Sequence, residues 1–120
     1  MTPPPVVLSL DIDGTLEVGD PPGTIPLSWV ARAHERGYVV GSSSDRTVSD
    51  QRRLWEKHEV PMDFIGHKHH LDQIKDRYAE AGRYVHIGDG DADRYYAKLH
   101  GFEFHWVHEV PADGSSGWIF

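Results

Sequence analysis

The sequence predicts an α/β fold, one domain built on a five-stranded parallel sheet with helices on both faces. Three observations carry that prediction. Short, nearly continuous apolar runs alternate along the chain with helix-like stretches of about ten residues. Glycine or proline marks most of the junctions between them. A chain of 120 residues also suffices for one shared core and leaves little material for a second domain.

Val6-Val7-Leu8-Ser9-Leu10 is β-branched and apolar almost throughout, the pattern of a strand buried on both faces. From Asp11 to Pro26 the chain is rich in Gly, Pro and Asp and reads as a loop. Residues 27–36 read as a helix, with Pro26 near its start and Gly37 as its stop. Residues 38–41 give a second strand that opens into Ser42-Ser43-Ser44-Asp45, N-cap candidates for a helix over 47–58. Residues 60–65 supply a weak third strand, and 71–81 a third helix stopped by Gly82. Residues 84–87 form a fourth strand running into Gly88-Asp89. A fourth helix spans 93–100, with Gly101 as its stop, and a fifth strand spans 102–107. Such alternation implies right-handed crossovers between parallel strands. The domain takes in residues 1–120, with its core over 6–107. Residues 108–120 read as an irregular tail, in which Trp118 and Phe120 are available to pin it to the surface or to make a subunit contact.

Composition narrows the function. Twelve Lys and Arg against 19 Asp and Glu give a net charge of −7, which argues against a nucleic-acid backbone as partner. Cysteine is absent, which excludes disulfides, thiolate zinc sites and a cysteine nucleophile. The start of the chain has no basic stretch followed by an apolar one, and no run approaches the roughly 20 apolar residues needed to cross a bilayer. A soluble, cytoplasmic domain without a membrane partner is expected.

In an open α/β sheet, ligands bind beyond the carboxyl ends of the strands. Polar residues gather there in this chain. Strand one ends in Asp11 and Asp13, strand two in Ser42 to Asp45, and strand four in Asp89, Asp91 and Asp93, while Lys68 lies between strand three and helix three. Carboxylates crowded together call for a hard cation, and an oxygen-only donor set suits Mg²⁺. Asp11, at the strand tip, is the better candidate for a nucleophile that forms an aspartyl phosphate. Asp13 points to the same side, where it can protonate the leaving oxygen and then deprotonate water. A serine hydroxyl and the Lys68 ammonium would hold the phosphoryl oxygens, and Gly14 lets the backbone turn away after the acids.

These residues resemble the haloacid dehalogenase superfamily in its phosphatase branch, over about residues 6–107. Asp11-Ile12-Asp13-Gly14-Thr15-Leu16 is similar to its first motif, Ser42 to its second and Lys68 to its third. Gly88-Asp89-Gly90-Asp91-Ala92-Asp93 is similar to the Gly-Asp-x-x-x-Asp form of its fourth. Ser43 or Ser44 can stand in for Ser42, and Lys75 competes with Lys68. The resemblance implies a Rossmann-like three-layer α/β/α domain. In it Asp11 is nucleophile and metal ligand, Asp13 is general acid/base with its carbonyl on the metal, and Asp89 is a metal ligand. Asp93 holds metal-bound water or Lys68. An acid at position 13 points to a phosphomonoesterase or mutase rather than a dehalogenase. The intervals 14–26 and 43–67 are too short for an inserted cap domain, so the site is expected to be open to phosphorylated small-molecule or macromolecular substrates unless a second copy of the chain covers it.

Each feature also has a plainer reading. Asp-Gly after a strand is a common turn, serines before a helix are common caps, and an isolated lysine is commonly solvated. Asp89-Gly90-Asp91-Ala92-Asp93 opens like a calcium loop, but Arg94 and His100 stand where that loop needs Gly and Glu. His67, His69 and His70 surround Lys68 and read as rim residues, and Arg46 reads as a second anion contact. Competing functions are a nucleotide or nucleic-acid-end phosphatase, a phospho-aspartate receiver domain, and a degenerate scaffold. The receiver reading needs an acid at the end of strand three, where this chain has Ile65-Gly66.

Overall fold

The structure, a computed structural model, describes residues 4–110. Strands β1 (Val6–Leu10), β2 (Val39–Ser43), β3 (Phe64–Gly66), β4 (Arg83–Gly88) and β5 (Glu103–Trp106) alternate with helices α1 (Leu27–Glu35), α2 (Val48–Lys57), α3 (Leu71–Arg77) and α4 (Asp91–Leu99). The five strands form one sheet in the order β3-β2-β1-β4-β5, and every pairing is parallel. β1 is central, with Leu8 between Val40 and Val85 and Leu10 between Ser42 and Ile87.

The pleat divides the core. Leu8, Leu10, Val40, Val85 and Ile87 pack with Trp29, Val30 and Ala33 of α1 and Trp55 of α2. On the opposite face Val7 and Phe64 pack with Leu71 and Ile74 of α3 and Ala97 of α4. Val7, Leu8 and Leu10 are fully buried, each contributing about 1.5–3 kcal/mol of transfer free energy. The result is a single Rossmann-like α/β domain with three layers.

Several boundaries differ from expectation for physical reasons. Thr47, rather than the serines or Asp45, caps α2. Its backbone is extended, and its hydroxyl accepts from the Asp50 amide at 3.1 Å. Ser44 Oγ instead accepts from the Arg46 amide at 3.1 Å, shaping the turn before the helix. β3 is shorter than 60–65 because Pro61 brings no amide to the ladder. Here Asp63 secures the approach to the strand, its amide donating to the Val40 carbonyl at 2.7 Å and its carboxylate accepting from the Val40 amide at 2.9 Å. α3 stops at Arg77, where the Tyr78 carbonyl accepts from the Tyr84 hydroxyl at 2.5 Å instead of continuing the helix. α4 starts two residues early, at Asp91, because Asp93 reaches back to accept from the Gly90 amide at 3.2 Å. Of the segment expected as a tail, only 108–110 are described: Val107–Glu109 forms a 3₁₀ turn and Val110 is buried in the core, while residues 111–120, Trp118 and Phe120 among them, lie outside the described residues. Among the described residues no helix is long and apolar enough to cross a membrane.

Candidate functional site

The chain runs from β1 outward to β2 and β3, then returns to place β4 on the other side of β1. That reversal makes the carboxyl ends of β1 and β4 the topological switch point, where open α/β sheets open a crevice. The two segments that end there are Asp11-Ile12-Asp13 and Gly88-Asp89.

Asp11 continues the sheet by one residue, its amide donating to the Ile87 carbonyl at 3.0 Å. This fixes its side chain at the centre of the edge with only 4% of its surface exposed. Asp89 follows β4 and is exposed. Ligand oxygens of Asp11, Asp89 and Asp93 all lie within 4.8 Å of one another. Gly14 makes room for this arrangement. It turns with φ 75°, and a Cβ there would overlap the Asp89 carboxylate. Gly88 does the same for Asp93, whose carboxylate occupies the space a side chain at 88 would need.

Lys68 enters from the 3₁₀ turn after β3 and is buried. Its Nζ lies 3.2 Å from Asp93 Oδ1, 3.5 Å from Asp11 Oδ1 and 3.6 Å from Asp45 Oδ2. Burial works against its charge, but Asp11, Asp93 and Asp45 outweigh it and hold its pKa above the ordinary lysine value. The two carboxylates that share it are driven apart. Burial and the Asp93 charge, against the pull of Lys68, push Asp11 up to about 8. Burial opposes the Asp93 charge too, yet the hydrogen bond and charge of His86, with Lys68, hold it below the ordinary carboxylate value. Without a metal, Asp93 is therefore the ionised partner of Lys68, and Asp11 keeps a proton at neutral pH.

Asp13 lies at the mouth and is gripped by Arg46. The guanidinium Nη2 donates to Oδ1 at 2.6 Å, and Nε lies 3.1 and 3.2 Å from the two carboxylate oxygens. The Asp20 amide adds a contact at 2.8 Å. Arg46, opposed by partial burial, lowers the Asp13 pKa.

The serines separate. Ser42 Oγ donates to Gln51 Oε1 at 2.7 Å and accepts from Trp55 Nε1 at 2.9 Å, so the hydroxyl expected to bind phosphate is committed to α2 inside the core. Ser43 Oγ, on the other face of the strand, lies 2.8 Å from Ser9 Oγ. Lys75 is directed elsewhere, over the Tyr84 ring and towards the Gly101 carbonyl, so Lys68 is the lysine in the cluster. Asp91 is exposed and outside the acid group. His67, His69 and His70 pack ring against ring, and His69 also meets Tyr96. A surface cavity of about 430 Å³, lined by Asp91, Arg94, Tyr95, Lys98 and Leu99, runs along α4 apart from the three carboxylates.

Two elements of the site were not legible as such. Ser9 and His86 interrupt mainly apolar strands, and Arg46 follows its partner Asp13 by thirty-three positions. The polar interruptions were the available signal, and only the pairing of Ser9 with His86 gives it meaning. Comparisons of the chain with protein-family models, with curated proteins and with solved structures give no match.

Proposed function

We propose that the chain is a Mg²⁺-dependent phosphomonoesterase that works through an aspartyl phosphate on Asp11. The observation that carries this reading is a buried carboxylate at the strand tip, beside a buried lysine and within 4.8 Å of two further acids. The donors fit the metal. They are all oxygen, they crowd at the switch point, and the single ammonium among them leaves Asp11 with its pKa pushed up to about 8. Asp11 and Asp89 would hold the ion, and the Asp13 carbonyl is the third protein ligand implied by the resemblance. Bound there, Mg²⁺ would neutralise the acids and draw charge from a substrate phosphoryl group.

The chain's own residues supply the rest. Once Arg46 lets go, the proton that Asp11 carries passes to Asp13; an Asp11 oxygen then bonds to phosphorus as the ester bond breaks, and Asp13 gives that proton to the departing oxygen. Asp13 then takes a proton from water, whose oxygen bonds to phosphorus as the Asp11–phosphorus bond breaks. Phosphate leaves and Asp11 is restored. Lys68 opposes the charge that builds on the phosphoryl oxygens. Asp13 must first release Arg46, and an incoming phosphoryl group is the natural competitor for that guanidinium. The Asp45 side chain, 79% exposed beside Lys68, leaves the mouth open to a bulky leaving group.

A phospho-aspartate receiver fits less well. Such domains take the strand order 2-1-3-4-5, whereas this sheet runs β3-β2-β1-β4-β5, and β3 ends at Gly66 without an acid. The test is release of inorganic phosphate from p-nitrophenyl phosphate and from a panel of phosphorylated metabolites, nucleotides and phosphate-ended oligonucleotides. Turnover that needs Mg²⁺ and disappears in Asp11→Asn supports the reading. No turnover anywhere in the panel refutes it.

A further inference from the structure

Behind the acid cluster a line of buried polar side chains runs through the face of the sheet covered by α3 and α4. Ser43 Oγ lies 2.8 Å from Ser9 Oγ, Ser9 Oγ 2.9 Å from His86 Nδ1, and His86 Nε2 2.8 Å from Asp93 Oδ1. Lys68 Nζ follows at 3.2 Å from that same Asp93 oxygen. Ser9, Ser43 and His86 are fully buried, in strands whose other residues are mainly apolar. Buried polar networks are costly unless every member is satisfied, and apolar side chains of the same volume would serve stability as well. Stability alone is a poor reason for this line, whereas its end point is a good one.

We propose that His86 is a positioning residue that sets Lys68 relative to Asp11; the catalytic consequence rests on the phosphatase reading above. The geometry is one of competing holds. Lys68 is 3.2 Å from Asp93 and 3.5 Å from Asp11, so its place between them depends on Asp93 staying where it is. Asp93 is held at both oxygens, Oδ1 by His86 and Oδ2 by the Gly90 amide. A carboxylate only accepts, so His86 Nε2 carries the hydrogen in this contact. Ser9 at Nδ1 fixes the plane of the ring, and Phe104 packs beside it with centroids 6.4 Å apart. With the imidazole removed, Asp93 keeps only Lys68 at Oδ1 and the Gly90 amide at Oδ2, and the Oδ1 side of the carboxylate can shift. Lys68 then settles on Asp11, the group it must leave free to attack. The protein uses the same logic that fixes metal-binding histidines through an outer partner, with the roles of carboxylate and imidazole exchanged.

The test compares wild type, His86→Leu and His86→Gln by two readouts. Glutamine can still present an N–H towards Asp93, and leucine cannot. In phosphatase kinetics His86→Leu is expected to lower kcat by about 10–100-fold with KM changed much less, and His86→Gln to recover to within a few-fold of wild type. In NMR of lysine-labelled, metal-free protein, the Lys68 ε-methylene protons are expected to be inequivalent in wild type and His86→Gln and averaged in His86→Leu. Lys68→Met identifies the signal. An unchanged Lys68 signal together with unchanged kcat in His86→Leu overturns the proposal. Should His86→Leu not fold, Ser9→Ala releases the ring at Nδ1 and is expected to shift the Lys68 signal and lower kcat; no change in either overturns the proposal equally. If wild type turns over no phosphomonoester, the phosphatase reading falls, and the Lys68 signal alone still decides whether His86 positions it.

Discussion

Arg46 holds Asp13 through three contacts of 2.6 to 3.2 Å, placing a guanidinium on the acid expected to donate the proton. The pair keeps Asp13 ionised and turned towards the turn before α2. Its contribution to stability has a defined pH window. The folded pKa lies below the ordinary value of 3.8, so the contribution is present above that pH and is lost as pH falls through the folded value. Because the side chains are 26% and 35% exposed, solvent screening limits it to about 0.5 kcal/mol. Arg46→Gln is expected to lower the melting temperature slightly at pH 7 and not at all near pH 2, as followed by thermal melts. In kinetics the same variant should raise KM more than it lowers kcat, since on the phosphatase reading the arginine would meet the phosphoryl group on entry.

Asp11 is expected to work against stability in the metal-free protein. Its folded pKa of about 8 lies above the ordinary 3.8, so the folded state binds the extra proton between those values. Stability therefore falls as pH rises through that window. Asp11→Asn removes the titration. Calorimetry in chelator should find the variant more stable than wild type at pH 8, by on the order of 10 °C, with the difference shrinking towards pH 4. The same variant should lose phosphatase turnover completely. Equal melting temperatures at pH 8 would show that burial does not strain this carboxyl.

Asp89 and Gly14 are predicted to act together. Asp89→Asn should weaken Mg²⁺ binding by about 10–100-fold with little change in the melting temperature, because the side chain is exposed. Gly14→Ala should weaken it as well, since a Cβ would displace the Asp89 carboxylate, and should cost about 1 kcal/mol for the positive φ. Isothermal titration with Mg²⁺ checks both. Normal affinity in Asp89→Asn would remove that residue from the metal site.

The strands and the acid-bearing turns were legible because their signals are local. A buried parallel strand announces itself through β-branched apolar runs, as in β1, and the acids stand directly after β1 and β4. Side-chain direction is a different matter. Ser42 and Ser43 look alike in sequence, yet the pleat sends one towards Trp55 and the other towards Ser9. The choice between Lys68 and Lys75 depends on where α3 begins, and the grip of Arg46 on Asp13 depends on how two loops fold over the sheet edge. None of these has a sequence period to read. They follow from register and packing, which only the assembled sheet supplies.

Ser42 gives the sharpest separation between a core role and a phosphate role. Its hydroxyl satisfies Gln51 Oε1 and Trp55 Nε1 at once, and Gln51 in turn donates to the Arg46 and Gly66 carbonyls at 2.9 Å. Ser42→Ala leaves a buried acceptor and a buried donor unpaired, at a cost of about 1–3 kcal/mol. Chemical denaturation should show that loss, while turnover at a temperature where the variant is folded stays near wild type. Ser43→Ala is expected to show the opposite balance, with a smaller loss of stability and a larger loss of turnover, because Ser43 shares the strand face of Asp11 and Ser9. A drop in turnover on the order of a hundredfold or more in folded Ser42→Ala would return the phosphate contact to Ser42, since loss of one donor to a transition-state oxygen has that size.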